Sequence, residues 1–142
     1  MHSRSHRGSA SIEFVIVAVA IFLPVLALTV TVSTIQTAQF AVAAIARQGV
    51  RALALSTTPT VGAQRIVAID RLIRQDFGVS ASTAWAIRCS LNPCLTRGGL
   101  VRLTVSADIP IAMIPVVPGI GLPPRVRVES TATHTVPIVA VR

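Results

Sequence analysis

The chain has no lysine and no tyrosine, and its aromatic residues amount to four phenylalanines and one tryptophan. Of three histidines, two (His2 and His6) stand in the first six positions, which leaves His134 alone downstream. A nucleophile needs a base beside it and acid–base catalysis needs a tuned pair, and no such pairing stands out along the chain. A structural zinc site wants four ligands, and the one downstream histidine with Cys89 and Cys94 falls short. We therefore expect no metal, no cofactor and no enzymatic activity. Acidic side chains are also scarce, five against thirteen arginines, for a net charge of +8. That excess raises nucleic acid as a partner, but only Phe77 and Trp85 lie beyond the apolar N-terminal third to stack on bases, which argues against it.

The longest absence is of charge itself: residues 14–46 form a run of 33 uncharged positions. With 52% hydrophobic residues and a mean hydropathy of +0.72, the chain is too apolar for an ordinary soluble domain of 142 residues. A membrane-spanning helix needs about 20 apolar residues at about 1.5 Å rise each. Residues 14–35 supply them, although Pro24 within that stretch removes one helical hydrogen bond. Residues 109–117 are apolar but broken by Pro110 and Pro115, and read as an extended loop. The chain is thus expected to cross the cytoplasmic membrane once, with lipid as a partner. Arg4 and Arg7, with His2 and His6, form the basic flank that holds an N-terminus in the cytoplasm and sends the rest outward. Arg47 and Arg51 beyond the span weigh against that polarity.

No proline interrupts residues 34–55, so the helix is expected to continue past the membrane surface. There Ile35, Ala38, Val42, Ile45, Gly49 and Ala52 recur every three or four positions, a seam suited either to contacts with other helices or to covering a sheet of the same chain. Thr58 as N-cap and Pro59 at the first helical position open a second helix, and Gly78 ends it. Its apolar positions Ile66, Ile69, Leu72, Ile73 and Phe77 share one side, while Arg65, Arg71, Arg74, Gln75 and Asp76 are left to water. Asp70, Asp76, Asp108 and Glu129 read as solvated partners of nearby arginines.

The period then changes to alternation. Residues 100–109 place Val101, Leu103, Val105, Ala107 and Ile109 on one face, and residues 125–136 do the same with Val126, Val128, Ala132 and Val136. Residues 81–89, with Trp85 and Ile87, form a shorter third strand. Cys89 and Cys94 flank the turn-forming pair Asn92-Pro93, so a local disulfide is reasonable in an oxidising compartment, with two free thiols as the alternative.

The most informative segment is Arg7-Gly8-Ser9-Ala10-Ser11-Ile12-Glu13-Phe14, which runs straight into the apolar stretch. A carboxylate at the mouth of a membrane helix costs a few kcal/mol unless a partner charge meets it. Cleavage after Gly8 would create an amine on Ser9, four residues before Glu13. At this point the chain resembles the type IV pilin superfamily, whose precursors carry a short basic leader ending in glycine, a glutamate at the fifth mature position and an apolar helix. Gly8, Glu13 and Phe14 match position by position. With Ala46-Arg47-Gln48-Gly49-Val50-Arg51-Ala52 after the span, the chain looks most like TadE/TadG-like minor pseudopilins of the tight-adherence (Flp) pilus. The resemblance covers about the first 55 residues.

What it implies is cleavage between Gly8 and Ser9 by a prepilin peptidase, and registration of one subunit on the next through Glu13 and Phe14. The implied partners are other pilin or pseudopilin subunits and an inner-membrane assembly platform, and the implied destination is a cell-surface pilus. The expected fold is α+β and pilin-like: a leader at 1–8, a long helix over 9–55 packed on a small antiparallel sheet, and an extracytoplasmic domain over 56–142 with one further amphipathic helix. Two alternatives stay open, an uncleaved single-pass envelope anchor and a pilin-like basic DNA-binding subunit.

Overall fold

The structure, a computed structural model, describes residues 9–111 and 124–138, with side chains from residue 12 onward. The leader 1–8, most of the expected loop at 109–117 and the last four residues lie outside the described part.

The fold is α+β, as expected. Helix α1 runs without interruption from Ser9 to Ala54, through Pro24. At about 1.5 Å per residue its 46 residues make a rod about 69 Å long. Helix α2 (Pro59–Asp76) begins with the Thr58 side chain accepting the Val61 N–H at 3.3 Å and with Pro59 in the first turn. It ends in a Schellman motif. Gly78, at φ +64°, lets its own N–H reach the Gln75 carbonyl, and the Val79 N–H closes on Arg74 at 2.9 Å.

Strands β1 (Thr83–Cys89), β2 (Leu100–Pro110) and β3 (Arg125–Thr135) form an antiparallel sheet in the order β1-β2-β3. Trp85 stands opposite Val105 and Leu103 opposite Ala132. Side chains alternate across a strand, so Val101, Leu103, Val105, Ala107 and Ile109 all face the helices, where each is at least 96% buried. Opposite them the second half of α1 contributes Ala38, Ala41, Val42, Ile45, Ala46, Val50 and Leu53. This face is wider than the seam read from the sequence because α1 is covered twice, by the sheet on one side and by α2 on the other. Gly49 lies where the three meet, against Leu103 and Ile66. Of the two readings of the seam, the chain's own sheet covers it.

Helix α1 runs antiparallel to β2: Leu103 lies by Gly49, whereas Ile109 and Pro110 lie by Thr34 and Ile35. Helix α2 runs back along α1, from the Gly62–Leu53 contact to Phe77 near Thr34. The domain therefore has a near end, next to the apolar half of α1, and a far end that carries the 90–99 loop.

Four expectations need correcting. Strand β1 starts at Thr83 rather than 81, because Arg74 Nη1 bonds the Ala81 carbonyl at 3.4 Å and holds that segment on α2. Strands β2 and β3 end one residue from the expected limits, at Pro110 and Thr135; the Val136 N–H turns instead to the Gly99 carbonyl at 2.8 Å. Leu72 and Phe77 are exposed: Leu72 lies about 100° around α2 from Ile73, and Phe77 is the C-cap residue, at the rim of an open groove by Thr34. Asp70 is buried rather than solvated. Its Oδ2 accepts from Arg74 Nε at 3.0 Å and its Oδ1 from the Thr83 hydroxyl.

Candidate functional site

The residues singled out at the N-terminus fall on the first turns of α1. Ser9 is the first helical residue, and Gly8 lies outside the described residues. Residues i and i+4 share a helix face, so the backbone sets Glu13 one turn along on the side of Ser9. A charge carried at position 9 would stand about 6 Å along the axis from Glu13. Phe14, the next residue, is 74% exposed. The run's alanines and leucines favour the helical state, and α1 continues through Pro24, its one proline.

From residue 12 to residue 30 nearly every side chain is exposed, including Ile16, Ile21, Phe22, Leu23 and Leu28. This is one helix long and apolar enough to cross a membrane. Polar side chains within lipid must find partners on their own helix. Thr29 gives its hydroxyl proton to the Val25 carbonyl at 2.8 Å, Thr31 to Ala27 at 2.8 Å and Thr34 to Val30 at 2.9 Å. The threonines before the domain thus need no water. The apolar count taken from the sequence overlooked this, although threonines at 29, 31 and 34, all past Pro24 on one helix, were a usable sign.

Where α1 enters the domain, an open groove of about 360 Å³ lies between Ser33, Thr37, Phe77, Val79 and Ile109. Among the described residues its polar lining is serine and threonine hydroxyls, with no acid, base or thiol beside them. Asp70, the buried carboxylate, is occupied by Arg74 and Thr83 and joins α2 to the start of β1. That role escaped the sequence reading because helical spacing shows Asp70 next to Arg74 but gives no sign of Thr83.

At the far end Cys89 and Cys94 stand at disulfide distance, with a Cα separation of 5.4 Å. They close the loop that joins β1 to β2. Among the described residues no group of three or more His, Cys, Asp or Glu side chains converges on a metal-sized site. Compared with family models, curated proteins and solved structures, the chain matches none.

Proposed function

We propose that the chain is a minor pseudopilin-like structural subunit, processed after Gly8 by a prepilin peptidase and built into a Tad/Flp-type pilus or a related secretion apparatus. In this reading it sits in the cytoplasmic membrane with residues 1–8 inside and the α+β domain outside. Its partners are other pilin or pseudopilin subunits and an inner-membrane assembly platform.

The observation that supports it is the division of labour along α1. One continuous helix leaves its first half uncovered from Ile12 onward and spends its second half as the spine of the domain. An uncovered apolar helix has to be buried by something, and lipid before assembly and neighbouring helices after it both serve. Glu13 is the exception to that apolar surface. A cation made by cleavage at Ser9, on the same subunit or on a neighbour, would offset its cost.

N-terminal sequencing of the chain purified from membranes tests the processing step: Ser9 is the expected first residue, and a retained Met1 favours the uncleaved anchor. For assembly, Glu13→Ala should abolish incorporation into the pilus while leaving membrane insertion unchanged. Normal incorporation of that variant would remove the electrostatic part of the proposal.

A further inference from the structure

Charge in the domain is segregated by end, which the sequence conceals. Asp70, Asp76, Asp108 and Glu129 all stand in the near half, with Arg71, Arg74, Arg125 and Arg127 to balance them. Arg47, Arg51, Arg65, Arg88, Arg97 and Arg102 stand in the far half, which has no acidic side chain. All six are exposed, and among the described residues none of them forms an ion pair.

Two of the six are set against each other. Arg88 on β1 is the cross-strand partner of Arg102 on β2, on the sheet face turned away from both helices. Like charges directly opposite on a sheet repel and destabilise it, and here no acidic neighbour relieves them. The same face continues into hydroxyls: Thr133 is paired with Arg102, and Thr104 and Thr131 share a hydrogen bond of 2.9 Å. No described element covers it. The adjoining loop, which carries Arg97, is tightly held: Ser90 and Leu100 bond each other, Gly98 bonds the Val136 carbonyl at 3.0 Å, and the Cys89–Cys94 pair closes it.

We propose that this far sheet face, centred on Arg88 and Arg102, binds an acidic polysaccharide through its carboxylates. Guanidinium forks take carboxylates in two-point contacts, and flanking threonine hydroxyls match sugar hydroxyls. Because loop and strands are already fixed, little ordering cost falls on binding. Nucleic acid fits less well. Trp85 is on the opposite side of β1, so no aromatic on this face is available for stacking.

The test uses the full-length chain in non-ionic polyoxyethylene micelles, so it is independent of whether the chain assembles. Binding of polygalacturonate, of neutral dextran of the same length and of duplex DNA is measured at one salt concentration. Polygalacturonate should bind and dextran should not. Arg88→Gln with Arg102→Gln should weaken polygalacturonate binding by about tenfold or more, whereas Arg125→Gln at the near end should change it by less than about twofold. Replacing the same pair by lysine keeps the charge but loses the forks, and should fall in between. Because both arginines are exposed, an unchanged melting curve shows the variants folded. The proposal is overturned if the wild-type chain does not bind polygalacturonate, if duplex DNA binds as tightly, or if the near-end variant loses as much as the far-end one.

Discussion

The two halves of α1 are made of similar residues in different surroundings. Val15, Ile16 and Leu23 in the first half are each more than half exposed; Val42, Ile45 and Leu53 in the second are fully buried. Both stretches belong to one unbroken helix, and the uncharged run of the first continues into the second as far as residue 46. What separates them is the presence of a sheet and a second helix beside one and not the other. Apolar composition tells which segments must be hidden. It takes the rest of the fold to tell whether the chain hides them itself or leaves them uncovered.

Substitutions on either side of the boundary sharpen this contrast. The largest effect on domain stability is expected at Leu103, fully buried between Gly49 and the sheet. Leu103→Ala should lower it by about 3 kcal/mol in chemical unfolding of the micelle-bound chain. Next comes Asp70→Asn, which weakens the link from α2 to Arg74 and Thr83; a loss of about 2 kcal/mol is expected in the same assay. Smaller still is Gly62→Ala. A methyl there would crowd Leu53, lying 3.3 Å from its Cα. Overpacking, partly offset by better helix propensity, should leave a net loss of about 1 to 2 kcal/mol. Last, Leu23→Ala in the uncovered half should move domain stability by less than about 0.5 kcal/mol. A large effect there would mean that the first half also packs on the domain, and the contrast would fail.

Much of this fold was legible because local chemistry and periodicity agree. Thr58, Pro59 and Gly78 punctuate α2 where their backbone preferences demand it, and the alternation of β2 and β3 leaves one choice of inner face. The width of each interface was not legible. Helical spacing put Leu72 and Phe77 with Ile66 and Ile73, but it carries no measure of how far the covering helix extends, and both ended outside. Nor does a linear reading show that Thr83 comes back to Asp70, or that Arg88 and Arg102, 14 positions apart in the chain, become direct neighbours. Such pairings come from strand register, which is set by turns and by core packing together. In the candidate assembly segment, Phe14 opens the apolar run, whereas Ser9 and Glu13 lie before it, so the run alone did not place them on the helix.

Continuity of α1 has a mechanical consequence. With no loop between the uncovered and the domain-facing residues, the sheet's heading around the helix axis is locked to that of Glu13 and Phe14. Each added residue rotates the downstream part of the chain by about 100°. Inserting a single alanine between Val32 and Ser33 would swing the whole domain around its stalk, whereas inserting seven would lengthen the stalk by about 10 Å and bring the domain back close to its starting azimuth.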